Sequence, residues 1–250
     1  MNSMEANKVV ISLSGGLDST MLLMYYLAKG YEVKAYSFEY GQKHNVELKK
    51  VKKNVKFLQN KGYKITHQTI NLTDVFSDSA SSLHKNSKEE IPHEKYDSET
   101  QKSTVVENRN VIFSAIIYGK ALAWANKTQD NVIISLGIHS NDNSIYPDCR
   151  PESQEMAKEL FRISNWGSEK VDYEAPFVHI SKADVLGLGL NAMNNMNMTK
   201  RDIQAILKNT HSCYDVDEKG ESCGKCGTCQ ERLEAFAHNN IKDPIKYSCF

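Results

Sequence analysis

An excess of charge of either sign is missing from this chain. Its 250 residues carry 31 Lys and Arg against 31 Asp and Glu, a formal net charge of zero. No global attraction to nucleic acid or to an anionic membrane follows from that balance. Long apolar runs are missing too. The longest mostly apolar stretch, residues 111–125, is interrupted by Lys120 and is too short to span a bilayer; it reads as a buried helix. No charged-then-apolar segment opens the chain, and residues 1–7 are polar and read as a frayed end. A soluble, cytoplasmic protein is therefore expected, with no membrane and no stable nucleic-acid partner. No internal repeat is visible. Cysteine is missing until Cys149; the other five are Cys213, Cys223, Cys226, Cys229 and Cys249. An apolar content of 40% and a charged content of 25% are ordinary for a globular protein.

What is present begins with Ser14-Gly15-Gly16-Leu17-Asp18-Ser19-Thr20. The short β-branched run before it, Lys8 through Ser12 and Leu13, reads as a buried strand, and the run after it as a helix. A strand, a glycine turn and a helix N-terminus make an anion site, because free backbone N–H groups and the helix dipole both favour negative charge. No Lys follows the glycines, so this is not a Walker loop, nor is it G-x-G-x-x-G. An ordinary Gly-Gly turn with Ser19 as a helix cap is the plain alternative.

Further strands are expected over 31–38, 63–70 and 131–137, and a last one ending at Ala175-Pro176-Phe177. Helices are expected over 45–60, 108–127, 151–165, 181–190 (capped by Ser181) and 200–207, with 191–198 a loop. The lysines of 45–60 read as a solvated face. Strands alternating with helices imply a parallel sheet covered on both faces. The polar loop from His139 to Arg150 follows a strand's C-terminal end, where open α/β sheets place ligands. Residues 71–102 are rich in Ser, Lys and Glu and are expected to form a lid-like insertion. Gly187-Leu188-Gly189-Leu190-Asn191-Ala192 matches a dinucleotide motif but has no strand before it, and is set aside. Residues 1–190 read as one α/β domain and 191–250 as a smaller C-terminal segment packed on it.

That segment carries the cysteine pattern. Cys213, Cys223, Cys226 and Cys229 have metal-ligand spacing, and four thiolates closing a tetrahedron point to one structural Zn²⁺. An Fe–S cluster is the alternative that the spacing also fits.

The glycine loop resembles the pyrophosphate-binding loop of the ATP pyrophosphatase (PP-loop) superfamily. With Arg109-Asn110, Tyr146-Pro147-Asp148-Cys149-Arg150, Tyr40-x-Gln42-Lys43-His44, Ser181-Lys182 and the cysteine set followed by Arg232, the chain resembles the 7-cyano-7-deazaguanine synthase family. The resemblance implies a doubly wound parallel sheet of the adenine-nucleotide alpha-hydrolase type with a small zinc-binding segment. It implies a homodimeric ATP-dependent ligase that turns 7-carboxy-7-deazaguanine and ammonia into the nitrile through adenylated intermediates, releasing AMP and pyrophosphate. On this reading Ser12, Leu13, Ser14, Gly15, Gly16, Leu17, Asp18, Ser19 and Thr20 hold ATP. Asp18, with Mg²⁺, Arg109 and Lys182 are catalytic. Gln42, His44, Arg109, Asn110, Tyr146, Asp148 and Arg150 contact the substrate. His44 and His139 are proton-shuttle candidates or plain loop residues.

Two positions depart from the family pattern. Glu107 stands where Pro is usual and is expected to put a carboxylate beside the substrate, and Ile145 stands where Gly is common. Other readings stay open. The chain could pass an adenylated deazaguanine to a protein amine, or modify tRNA by sulfur transfer, for which only Cys149 offers a thiol. A nucleotide sensor carrying a zinc ribbon is the non-enzymatic alternative.

Overall fold

The computed structural model describes residues 7–43, 46–93, 95 and 99–249. Five strands form one fully parallel sheet: β1 Lys8–Ser12, β2 Glu32–Glu39, β3 Ile65–Asn71, β4 Val132–Ser135 and β5 Val171–Glu174. Their spatial order is β3-β2-β1-β4-β5. The register sets Val9 beside Val33 and Ile133, and Val10 beside Lys34 and Ile134. The expected strands were right in kind and order. The last one stops at Glu174, because Ala175 to Ile180 coils into turns in which Val178 donates to Ala175 and Ile180 to Phe177.

Alternate residues of the strands feed two cores, as a period of two requires. Val9, Ile11 and Ile133 join one, and Val10, Val132 and Ile134 the other. The first core receives α1 Leu17–Ala28, α2 Val46–Asn60, α5 Lys182–Asn195, α6 Lys200–Lys208 and α7 Gly227–His238. The second receives α3 Arg109–Thr128 and α4 Pro151–Ser164. Helices on both faces satisfy the apolar surfaces of a parallel sheet. Nine of the twelve residues of α1 are buried, as befits a helix lodged between the sheet and α5. In α2, Leu48, Val51, Val55 and Leu58 point inward and leave Lys49, Lys52, Lys53 and Lys56 exposed, whereas Lys50 is half-buried and donates to the Thr210 carbonyl at 3.1 Å.

Three features differ from expectation. Helix α5 runs through residue 190 to Asn195 rather than giving way to a loop at 191. Asparagine disfavours helix weakly, and burial of Ala192 and Met193 in the first core outweighs it. The 190/191 boundary thus falls inside a helix. The glycines of the set-aside motif serve packing: a Cβ on Gly189 would overlap the Met21 side chain, and one on Gly187 would lie 3.0 Å from Asn239 Oδ1. They let α5 lie close on α1 and α7. Helix α7 had no forecast, since its first turn is hidden inside the cysteine motif.

Residues 71–102 contain a short 3₁₀ stretch, Glu99–Thr104, that overlaps their end. Phe76 and Leu83 are buried in the second core, and His84 is buried as well. Backbone bonds from Lys43 to Leu83 and from Lys85 to Gly41, both 2.8 Å, tie the segment to the loop after β2. Glu107 belongs to this anchoring. Its carboxylate accepts from Ser79 Oγ at 2.6 Å and from the Ala80 N–H at 3.3 Å. It is exposed and does not line the cleft described below, contrary to the expectation that it would oppose an anionic substrate. Ile145 is buried in the second core. Among the described residues no helix is long and apolar enough to cross a membrane.

Candidate active site

In this strand order the chain leaves β1 toward β2 and β3 on one side and reaches β4 and β5 on the other. The loops beyond β1 and β4 therefore diverge and open a crevice at the strands' C-terminal ends. A cleft of about 210 Å³ lies there.

One end of the cleft is the glycine loop. Gly15 takes a φ of +96°, and a Cβ on it would sit 2.6 Å from the Glu47 carbonyl oxygen. Both conformation and space demand glycine. Ser14 Oγ lies 3.0 Å from Ser19 Oγ and accepts the Gly16 N–H at 3.1 Å. The Gly15 carbonyl accepts the His211 N–H at 2.9 Å. Gly137, past β4, is also tightly packed, since a Cβ there would lie 3.0 Å from the Ser19 nitrogen. Ser12, Ser14, Gly16, Asp18 and Ser19 line the cleft. Leu13 and Leu17 send their side chains into the core, and the Leu13 backbone is engaged with the Tyr36 carbonyl and the Ser37 hydroxyl. Thr20 Oγ1 donates to the Gly16 carbonyl at 2.8 Å and fixes the loop from behind.

Beside the loop is a buried charge cluster. Lys182, the first residue of α5, has its Nζ 3.3 Å from Asp18 Oδ2 and 2.6 Å from Glu231 Oε2 on α7. His139 Nε2 stands 3.7 Å from both Asp18 Oδ2 and Asp142 Oδ2. Burial alone would raise the Asp18 carboxyl, but Lys182 and His139 outweigh it and hold it below its ordinary value. Burial likewise opposes the charge on Lys182, and Asp18 and Glu231 more than reverse that. Burial raises Glu231. Asp18 Oδ1 and Glu231 Oε1 are buried and accept no hydrogen bond. An orphaned carboxylate oxygen next to a phosphate loop suits a hard divalent cation such as Mg²⁺.

The other end is aromatic and carries one guanidinium. Phe38, Tyr40, Phe113, Tyr146 and Tyr214 line it together with Arg109 and Asn110. Hydroxyls link Thr104, Tyr146 and Tyr214 at 2.8 and 3.2 Å. Arg109 donates to Tyr40 Oη and Asn110 Oδ1, each at 3.4 Å, and lies near the Tyr40 and Tyr146 rings. Among the described residues no carboxylate comes within ion-pair distance of it. A half-buried cation without a counter-ion is suited to an incoming carboxylate or phosphate.

The structure brings Asp18, Lys182, Arg109, Asn110 and Tyr146 to one cleft. It does not bring Asp148, Arg150 or Gln42 to its wall. Asp148 accepts the Asn110 N–H at 3.0 Å and Asn110 Nδ2 at 3.2 Å. It satisfies an unpaired N–H in the first turn of α3 and so aims Arg109 and Asn110. Arg150 is exposed, and its Nε donates to the Asn143 carbonyl at 3.1 Å. Gln42 is buried beneath the wall, accepting from the Tyr40 N–H at 2.8 Å. His44 lies outside the described residues. Cys149 does reach the wall, but burial pushes its thiol well up, which withdraws it as a nucleophile. Sequence reasoning overlooked Glu47, Asp142, His211 and Glu231. Glu47, one residue into α2 beyond a polar loop, was the one with a signal: a carboxylate in a helix's first turn facing a strand's C-terminal end.

The four clustered cysteines converge beside the cleft, which Cys213 and Thr228 help to line. Their sulfurs all lie within 4.8 Å of one another. No cysteine is disulfide-bonded. The Asp215 and Cys223 N–H groups donate to Cys213 Sγ at 3.3 and 3.2 Å, and those of Lys225 and Cys226 to Cys223 Sγ at 3.3 Å. Backbone donors on sulfur stabilise thiolates, and the set could hold a metal ion.

Known proteins resemble the chain along nearly its whole length. Residues 8–240 match the family described as queuosine biosynthesis protein QueC. The chain is similar to the 7-cyano-7-deazaguanine synthase of Pseudoalteromonas atlantica, 39% identical over 241 residues, covering 96% of this chain and 98% of the relative. It is 38% identical to those of Caldicellulosiruptor saccharolyticus, covering 96% of this chain and 95% of the relative, and of a Marinomonas species, covering 97% and 99%.

Proposed function

The chain belongs to the family of queuosine biosynthesis protein QueC, and from that premise we propose that it is an ATP-dependent ligase that converts 7-carboxy-7-deazaguanine and ammonia to 7-cyano-7-deazaguanine. The observation that carries the reading is one cleft joining a glycine loop at a helix N-terminus to Arg109, which among the described residues has no carboxylate within ion-pair distance. The carboxylate is placed by Arg109, and the flat ring lies among Phe38, Phe113, Tyr146 and Tyr214. Attack of that carboxylate on the α-phosphorus of ATP forms the adenylate. The departing pyrophosphate is held by the Ser14 and Ser19 hydroxyls and the backbone N–H groups of the loop, with Lys182 nearby. Mg²⁺ at Asp18 would neutralise phosphate charge. Ammonia then displaces AMP to give the amide, and a second adenylation activates the amide oxygen toward the nitrile. The reaction belongs in the cytoplasm.

The test is to incubate the protein with ATP, Mg²⁺, 7-carboxy-7-deazaguanine and ammonium and to weigh the products. A nitrile together with AMP supports the reading. An amide that accumulates, or an adduct formed only with an added protein, favours transfer to a protein amine. Absence of AMP under every condition overturns both. The buried, protonated Cys149 speaks against sulfur transfer to tRNA.

Zn²⁺ at Cys213, Cys223, Cys226 and Cys229 would be structural, since four thiolates leave no open position for water. Cys226→Ser is expected to lose bound zinc and lower the melting temperature together, because such a site contributes folding free energy. Metal analysis and calorimetry check this; a metal-free variant as stable as the parent would contradict it.

A homodimer is also proposed. Met156, Leu160 and Ile163 on α4, and Trp166 after it, are 66%, 53%, 65% and 97% exposed. Their spacing makes one apolar stripe of the kind that marks an interface. Leu160→Glu is expected to shift the protein to monomer in analytical ultracentrifugation, and an unchanged sedimentation coefficient would remove this face from the interface.

A further inference from the structure

The proposed reaction needs ammonia, whereas at neutral pH the available species is overwhelmingly ammonium, which has no lone pair to attack with. A group in the cleft that takes a proton would make this abundant species usable as the nucleophile. The lining residues offer three carboxylates: Asp18, Glu47 and Asp142. Asp18 is engaged with Lys182 and His139, and Asp142 with His139. Glu47 differs. Among the described residues no cation lies within ion-pair distance of it, and its Oε1 receives only a long contact from Gln42 Nε2 at 3.5 Å.

Its position is the second observation. The backbone of Glu47 packs directly on Gly15 of the phosphate loop. Its side chain lines the same cleft as Tyr40, whose hydroxyl accepts from Arg109, and as the aromatic residues there. Glu47 therefore shares one cleft with the glycine loop and with Arg109. A carboxylate beside aromatic faces is a suitable seat for a small cation.

We infer that Glu47 binds the incoming ammonium and accepts its proton, acting as the general base of the amide-forming step. Ammonium gives one proton to the Glu47 carboxylate. The freed lone pair forms the C–N bond at the acyl carbon, the bond from that carbon to the phosphate oxygen breaks, and AMP leaves with the electron pair. A second N–H proton goes to water, and Glu47 returns its own to solvent. The charges around it are compatible with this traffic. Burial raises the Glu47 carboxyl to about 7, with Arg109 and the Gln42 amide opposing the rise. Tyr40, Tyr146 and Tyr214 stay neutral because burial raises them too. A base poised near neutral pH both takes and releases a proton readily.

This inference rests on the ligase reading above, and one experiment separates the two. The wild type, Glu47→Gln and Glu47→Asp are each supplied with ATP, Mg²⁺ and 7-carboxy-7-deazaguanine, once with ammonium and once with hydroxylamine, which is largely unprotonated at neutral pH and traps the adenylate as a hydroxamate. In Glu47→Gln, ammonium-dependent turnover is expected to fall by about 100-fold or more. Hydroxamate formation should fall far less, and the levelling of the wild type's ammonium-dependent rate above about pH 7 should give way to a rate that keeps climbing into alkaline pH with the fraction of free ammonia. Glu47→Asp, which keeps a carboxylate, should recover part of the ammonium rate. Equal loss with both nucleophiles, or a Glu47→Gln enzyme that uses ammonium as well as wild type, overturns the role of Glu47. A wild type that yields neither nitrile nor hydroxamate overturns the ligase reading itself.

Discussion

Replacing Asp18 by Asn is expected to reduce pyrophosphate release by about 100-fold or more, the loss that follows removal of a preorganised charge from a reacting phosphate, while leaving the fold intact. The structure gives a reason for the second half. Asp18 and Glu231 both lean on the single ammonium of Lys182. Removing one of two buried carboxylates leaves a balanced Lys182–Glu231 pair rather than an orphaned charge. Lys182 and His139 hold the Asp18 carboxyl below its ordinary value, so its loss costs some stability, but the remaining Lys182–Glu231 pair should keep the fall in melting temperature of Asp18→Asn to a few degrees. A pyrophosphate assay and a thermal melt on the same preparation decide the matter. Full turnover would remove Asp18 from the chemistry. A collapsed melt would make its role structural.

The second large effect is on stability. Arg232 is fully buried in α7 and makes a forked pair with Asp243, at 2.6 and 3.0 Å. It also donates to Thr210 Oγ1 at 2.8 Å and to Ser212 Oγ at 3.4 Å. Arg232→Ala would strand the Asp243 carboxylate in the interior, a change that typically costs about 3–5 kcal/mol. Against a total stability of roughly 5–15 kcal/mol, that is a fall in melting temperature of roughly 10 °C. Activity should fall as well, because the Thr210–Ser212 stretch that Arg232 braces carries His211 and Ser212 into the cleft wall. Differential scanning calorimetry measures the first effect; a shift under about 2 °C would show that the pair is not stabilising.

The parts legible in the sequence are those fixed by short-range pattern. The β-branched run of β1, the glycines after it and the apolar helix behind them occupy adjacent positions, so one window reveals the strand, the glycine turn and the helix N-terminus. The cysteine spacing works the same way. The direction a side chain takes is not written locally. Asp148 stands in a polar loop beside the site, and nothing in that loop says whether it faces a ligand or the unpaired N–H groups of α3. Glu231 is one of two glutamates in a helix that follows a metal motif, and only the packing of α7 on α5 brings it to Lys182. Asn191 and Asn194 weaken a helix on paper, yet Met193 beside them fills the core. In each case a tertiary contact decided what a neutral local preference left open.

The Gly15 carbonyl is held by the His211 N–H, and Asp18 reaches Glu231 through Lys182. The glycine loop is made first and these supports last. A ribosome adding roughly 5–20 residues per second completes the supporting wall roughly 10 to 40 s after the loop has emerged. Contacts between such distant parts of a chain also form late in folding. The nascent protein therefore passes most of its synthesis with a phosphate cradle but no buried charge to complete it. On the ligase reading, competence to consume ATP waits for the last helix, and a chain without it would carry the motif without the activity.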